Sequence, residues 1–487
     1  MNTYDIVVIG GGSGGLVVAV GAAQLGARVA LLEKNELGGD CLFSGCVPSK
    51  TLIRSARFAA DIRRAREFGF APPNELNFAD GSFASITERV QRVIDTVGKH
   101  DSPERFRKLG IDVIFGSPQF ISKKEIEIEL ADSGDKQIIC GRRFCIATGS
   151  RPSIPAIDGL NETGCITNEE VFRLKNLPRS LIVLGGGPTG LELGQCFARF
   201  GSEVTVVEMA DRLLPREDHD VSSLIEELLR SEDLNIFLNS KVTGAARADG
   251  HKKITLEQDG RTLELTAEEI LVATGRTANT EGLKLEAAGV SYDKRGIRTD
   301  QYLRTSSPNI YAVGDITGHF PFTHMAAYEA AVVVRNSLFF WPILQKTDFR
   351  VVPWAVFTDP EVGRVGLTEK EAREKYGNNE IRIYTTKFQE NDRANTEDET
   401  KGFLKLICKA GNNQILGAHL VGTQAGELIH EVVLAMKHHL PATSLGSLIH
   451  VYPTRSQVNQ RAGLEVMRAR LTPFTKKILS IYFSWWR

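Results

Sequence analysis

Two stretches of the chain repeat the same order of apolar runs, glycines and acids. The first begins with Asp5-Ile-Val-Val-Ile9, predicted as a buried strand, and passes into Gly10-Gly11-Gly12-Ser13-Gly14-Gly15. A helix to about Leu25 and a strand over Val29-Ala-Leu-Leu32 follow, ending at Glu33. The second begins with Leu181-Ile-Val-Leu184 and passes into Gly185-Gly186-Gly187-Pro188-Thr189-Gly190. Its helix runs to about Phe200, and its strand Val204-Thr-Val-Val207 ends at Glu208. In both copies the acid lies 23 residues after the first glycine. The run from Gly14 to Leu32 is apolar, but its glycines and Arg28 fit a helix plus a strand better than a membrane span. A third pattern closes the chain: Phe474, Ile478, Ile481 and Trp485 recur at helical spacing, with Lys476, Lys477 and Arg487 elsewhere around the helix.

A lone glycine-rich turn is weak evidence of function. Here each copy has the preceding strand, the following helix and the distant acid that dinucleotide binding requires. Gly10 and Gly185 permit a tight turn, Gly12 and Gly187 let backbone approach a pyrophosphate, and Gly15 and Gly190 let helix pack on strand. The helix N-terminus offers unpaired N–H groups to phosphate, and Glu33 or Glu208 accepts from a ribose diol. Two such units imply two dinucleotides: a bound flavin, FAD, and a nicotinamide substrate. Glu208 favours NADH over NADPH because a carboxylate repels a 2′-phosphate, although nearby Arg212 softens that preference.

Composition narrows the class. At 487 residues a length prior suggests about three domains. The formal net charge of −1 leaves no electrostatic footprint for nucleic acid. The start of the chain has no basic segment ahead of its apolar strand, and seven scattered cysteines do not read as a secreted disulfide scaffold. A cytoplasmic location is the expectation. Only Cys41 and Cys46 stand close together in a distinctive setting, Leu37-Gly-Gly-Asp-Cys41-Leu-Phe-Ser-Gly-Cys46-Val-Pro-Ser-Lys50. Their spacing is not the C-x-x-C of zinc sites, and no second Cys or His pair lies near to complete a metal site. Gly45 and Pro48 suggest a constrained helix start, where the helix dipole favours thiolate, and Lys50 adds positive charge one turn on.

The segment from Gly38 to Lys50 resembles that of the class I pyridine nucleotide-disulfide oxidoreductases, the family of the dihydrolipoamide dehydrogenase and mercuric reductase type. The resemblance extends over nearly the whole chain. Ala147-Thr148-Gly149 and Ala273-Thr274-Gly275-Arg276 resemble the two segments connecting the nucleotide domains. Asn309 to Asp315 resembles the second flavin motif, and Pro321-Phe322-Thr323-His324 the segment under the flavin ring. By resemblance, Gly116 meets the adenine, Asp315 the ribityl chain, and Val242 counts among the nucleotide contacts. Cys41 would be the interchange thiol and Cys46 the charge-transfer thiol, with Lys50 and Glu192 near flavin N5. Electrons would pass from NADH through FAD to a Cys41–Cys46 disulfide, and on to an acceptor.

One departure matters. The family's disulfide reductases supply a His-Pro-Thr-x-x-Glu segment from the partner subunit. Here it reads His450-Val-Tyr452-Pro-Thr-Arg-Ser-Gln457, with Tyr452 and Gln457 in the His and Glu positions. Thiol–disulfide exchange needs a proton carrier near neutrality, and losing it should slow such a reaction by roughly 10²–10⁴-fold. His450 could substitute if the segment is extended, since it would then point to the same side as Tyr452; the alternative is a structural histidine. The last cysteine is Cys408, so the C-terminal cysteine pair of mercuric reductase is missing.

The expected fold is α/β, with two Rossmann-like dinucleotide-binding domains and a C-terminal α+β dimerisation domain. The FAD domain would comprise 1–149 and 277–345, the NAD(P)H domain 150–276, the homodimer interface domain 346–468, and an amphipathic tail 469–487. Residues 471–487 would either touch a membrane surface or dock on the chain's own dimer. Dihydrolipoamide dehydrogenase, or a nucleotide-sensing flavoprotein with vestigial chemistry, are the alternative functions.

Overall fold

The computed structural model describes residues 2–71 and 82–486. The chain divides into two compact units: Met1–Gly185 with Cys196–Thr205 and Val242–Asp348, and Gly186–Gln195 with Val206–Lys241 and Phe349–Arg487.

In the first unit, five strands run parallel in the spatial order Ile111–Phe120, Val29–Glu33, Asn2–Ile9, Lys136–Ile146, Ile310–Ala312. Strand Glu125–Leu130 runs antiparallel to the distal ends of Ile111–Phe120 and Lys136–Ile146. The apolar runs read from sequence are buried on both faces, as a parallel sheet covered on each side demands. One face packs Val7, Ile9, Phe120, Phe144 and Ile146, and the other Ile6, Val8, Leu31 and Val333. Helix Ser13–Gln24 contributes Leu16, Val18 and Ala22 to the second face, opposite helix Thr323–Leu338. Strands Ser180–Leu184 and Glu269–Val272 also pair in parallel. The two connecting segments meet: Ser150–Pro152 pairs antiparallel with Arg276–Ala278. Thr148 Oγ1 donates to the Asn279 carbonyl at 2.8 Å, and Asn279 Nδ2 donates back to the Thr148 carbonyl at 2.9 Å.

The second unit contains a five-stranded antiparallel sheet, in the order Pro353–Val356, Glu361–Gly366, Ile415–Gly422, Phe403–Lys409, Ile381–Lys387. Helices His430–Lys437 and Gln457–Ala469 cover one face through Val432, Met436, Val458, Ala462 and Val466. An ionic cluster is buried in this unit. His419, fully buried, has Nε2 at 3.0 Å from Glu217 and Nδ1 at 3.3 Å from Asp218. Trp354 Nε1 donates to Glu217 at 2.9 Å, and Lys405 Nζ lies 3.0 Å from Asp218 and 2.9 Å from Asp220. The last helix, Pro473–Ser484, buries none of its residues. Among the described residues no helix is long and apolar enough to cross a membrane.

Candidate active site

The two glycine-rich loops are built alike down to individual hydrogen bonds. Glu33 accepts from the Gly11 N–H at 2.6 Å and from the Asn35 N–H at 2.8 Å. Glu208 accepts from the Gly186 N–H at 2.6 Å and from the Ala210 N–H at 2.7 Å. Each carboxylate oxygen thus receives one backbone donor, which fixes its position and leaves lone pairs for a diol. A Cβ at position 15 would lie 1.8 Å from the Gly10 carbonyl oxygen, so this glycine is demanded by the close approach of helix to strand. At Gly12 an added Cβ would meet only Gly39 Cα, at 3.8 Å, and at Gly187 nothing within 4 Å, so both backbones are open to an incoming group. Helix Ser13–Gln24 has no side-chain cap, which leaves its first-turn N–H groups free of side-chain acceptors.

The cysteines sit where the turn chemistry of the sequence places them. Cys41 lies on the short helix Gly39–Phe43, and Cys46 is the first residue of helix Cys46–Arg63. Both are thiols in this structure. Thr323 Oγ1 lies 3.2 Å from Cys46 Sγ. The Cys41 thiol, then Thr323, then the charge of Lys50 lower the Cys46 pKa to about 6 against the effect of burial. The same contact with Cys46, aided by burial, pushes the Cys41 thiol up. The pair is therefore polarised, with Cys46 the more acidic sulfur of the two.

Asp315 begins the turn before helix Thr323–Leu338. Burial raises its pKa, while Ser150 Oγ donates to it at 2.5 Å and Arg276 lies 3.6 Å away. Arg276 also reaches Asp40 at 3.2 Å, one residue from Cys41. Glu329, buried, accepts the Gly314 N–H at 2.7 Å and steadies this turn from behind. His324 is exposed, with its ring stacked on Phe322 at 5.3 Å. Gly116 lies in a strand where a Cβ would strike the Glu129 carbonyl oxygen at 2.4 Å, so the neighbouring strand alone accounts for the missing side chain. Gly149 and Gly275 have positive φ beside the paired connecting strands, and Val242 lies within strand Ser240–Ala248. Thr323, Ser150, Arg276 and Glu329 were not foreseen as site residues. Thr323 carried a signal, since it stands inside the motif read for His324.

In the second unit, Glu192 is buried and accepts the Phe357 N–H at 2.9 Å, from the same helix as Gly190. Tyr452 is 67% exposed and its hydroxyl donates to Asp392 at 3.1 Å, which raises its pKa. Gln457 accepts from the Thr454 N–H at 3.3 Å. The His450 side chain is only 5% exposed, with Nε2 3.1 Å from Glu431 and Nδ1 3.3 Å from the Leu448 carbonyl. Tyr452 lies at a bend, and the two side chains occupy different environments, His450 on Glu431 and Tyr452 on Asp392. Among the described residues no group of three or more His, Cys, Asp or Glu could hold a metal ion.

Residues 4–330 match the model of the pyridine nucleotide-disulphide oxidoreductases, and residues 352–462 match their dimerisation domain, which supports a homodimer. The mercuric reductase of Staphylococcus aureus is 33% identical over 462 residues, covering 95% of this chain and 82% of its own. The dihydrolipoyl dehydrogenase of Bacillus subtilis (strain 168) is 33% identical over 472 residues, covering 95% and 97%. The Cu(II) complex of the HOCl-induced flavoprotein disulfide reductase RclA from Escherichia coli superposes with a TM-score of 0.84 at 31% identity, covering 96% of this chain and all of that one. FAD and a pyridine nucleotide, which such proteins take, fit the residues present: open backbone at Gly12 and Gly187, an uncapped first helix, the fixed acids Glu33 and Glu208, and a half-buried Asp315. The chain belongs to the pyridine nucleotide-disulphide oxidoreductase family of flavoprotein enzymes.

Proposed function

We propose that the enzyme oxidises NADH and delivers the electron pair through Cys41 and Cys46 to a thiophilic metal ion, with Cu(II) or Hg(II) the first candidates. The observation that carries this reading is the polarised thiol pair in a chain whose proton-carrying dyad is replaced by Tyr452 and Gln457. A metal acceptor requires thiolate ligands and electrons, whereas a disulfide acceptor also requires protons delivered on demand. Mercuric reductase and the Cu(II)-bound reductase among the relatives agree with this choice.

FAD held by the Gly10–Gly15 loop, Glu33 and Asp315 would supply the two-electron relay between the nicotinamide and the disulfide. Glu208 holds the nucleotide-binding loop and disfavours a 2′-phosphate there. On reduction of the disulfide, Cys46 is left as thiolate beside Thr323 and Lys50, and Cys41 keeps a proton. Re-forming the disulfide releases that proton and two electrons, which reduce two Cu(II) ions to Cu(I) or one Hg(II) to Hg(0).

The test is anaerobic NADH oxidation by Cu(II), Hg(II), lipoamide, quinones and a dye. A metal ion should turn over only with both cysteines intact, and dye reduction should survive Cys46→Ser. Lipoamide should lag the dye by roughly 10²–10⁴-fold. A lipoamide rate within roughly tenfold of the dye would instead assign the chain to dihydrolipoamide oxidation.

A further inference from the structure

The helix Pro473–Ser484 presents an apolar surface to solvent that the rest of the described chain does not cover. Trp485 is 84% exposed, Trp486 78% and Phe474 72%. Their arrangement around the helix is ordered. At about 100° per residue, Phe474, Ile478, Ile481 and Trp485 form one line, flanked by Tyr482 and Trp486. With Leu479 and Phe483 beyond them, these cover roughly 200° of the circumference. Lys476, Lys477, Ser480 and Ser484 fill the remaining arc, and Thr475 is the one polar residue within the apolar side. A helix made to pack on one protein surface needs an apolar stripe of only about 100°. The wider arc suits a helix sunk to its equator in a medium that surrounds it.

Charge points to the same medium. No acidic side chain follows Glu465, whereas Arg468, Arg470, Lys476, Lys477 and Arg487 are all basic. Arg468 is engaged by Glu465, and Arg487 lies outside the described residues. Two lysines on the polar arc and two tryptophans at the helix end match the headgroup region of a bilayer, where amphipathic aromatic rings and cations are favoured. At 1.5 Å per residue the helix is about 18 Å long, well short of a span. From this geometry we infer that the tail anchors the enzyme to an anionic lipid surface, lying in the interface plane with its tryptophan face down. The inference is independent of the identity of the electron acceptor.

The full-length holoenzyme is floated with phosphatidylcholine vesicles, with and without phosphatidylglycerol, at low and high salt. Flotation is expected with the anionic vesicles at low salt, accompanied by a blue shift of tryptophan emission. Lys476→Gln with Lys477→Gln should weaken partitioning by roughly 25-fold, about fivefold for each lysine near an anionic surface. Trp485→Ser with Trp486→Ser should abolish flotation while flavin reduction by NADH stays at the parental rate. Failure of the parent to float with anionic vesicles at low salt overturns the inference. So does flotation that both double variants leave unchanged. A drop in particle mass by light scattering on tryptophan replacement also overturns it, because a second copy would then be the occupant of the helix face.

Discussion

Thr323→Val isolates the cause of the thiol polarisation. The hydroxyl lies 3.2 Å from Cys46 Sγ and is the second strongest influence holding that sulfur at a pKa of about 6, after Cys41. Valine keeps the volume and removes the donor. A hydrogen bond to a charged group contributes about 1.5–3 kcal/mol, and solvent access to Cys46 reduces this to about 1 kcal/mol. At 1.36 kcal/mol for each tenfold change, the Cys46 pKa should rise to nearly 7. The sign follows from the charge: removing a donor to the thiolate destabilises the anion, so a higher pH is needed to form it. The assay is ultraviolet thiolate absorbance of the anaerobic dithiol form across pH, with alkylation rate as a second readout. The thiolate fraction at neutral pH should fall from about nine-tenths to about two-thirds. Cys41→Ala should move the midpoint further, and Lys50→Met less, in the order in which the three groups act. A midpoint unmoved in Thr323→Val, or moved more by Lys50→Met, refutes the account.

Four further outcomes follow from the geometry. Glu208→Ala frees the Gly186 and Ala210 N–H groups and should raise the KM for NADH by roughly tenfold, while narrowing its advantage over NADPH in steady-state kinetics. Gly15→Ala drives a methyl group into the Gly10 carbonyl and should cost about 1–3 kcal/mol together with flavin retention, read by urea unfolding and flavin content. Glu217→Gln should cost about 3 kcal/mol at neutral pH, because it leaves His419 buried against a neutral partner. Burial opposes ionisation of Glu217, but His419 and Arg364 hold its carboxyl below the usual range; its stabilisation is present above the ordinary carboxylate pKa and disappears as pH falls through the folded value, so the deficit of the variant should shrink on acidification in unfolding curves. His450→Gln should lower the melting temperature through lost contacts with Glu431 and Leu448, and leave the pH profile of acceptor turnover in place.

The sequence disclosed what is local. Each glycine loop, its strand, its helix and its acid lie within a short window, and Glu33 and Glu208 make the matching contacts that their equal spacing implied. The start of a helix at Cys46 was likewise legible from the flanking Gly45 and Pro48. What escaped depends on contacts distant in sequence. Thr323 reaches Cys46 across 277 positions and Ser150 reaches Asp315 across 165, and no spacing rule announces either. The cluster around His419 draws on Glu217, about 200 residues away, and a lone histidine in a strand gave no hint of it. His450 stood open between two readings, because its partner Glu431 lies on a neighbouring helix that no spacing rule announces.

The parallel sheet around the first glycine loop has a consequence for synthesis. Its outer strand, Ile310–Ala312, pairs with Phe144–Ile146, which the ribosome makes more than 160 residues earlier. At about 5–20 residues per second, the nascent chain holds that hydrogen-bonding edge open for roughly 8–30 s. An apolar, unpaired edge exposed for so long is a template for pairing between neighbouring chains on a polysome. Synthesis rate over the intervening stretch, rather than the stability of the finished enzyme, should then govern how much soluble protein a cell recovers.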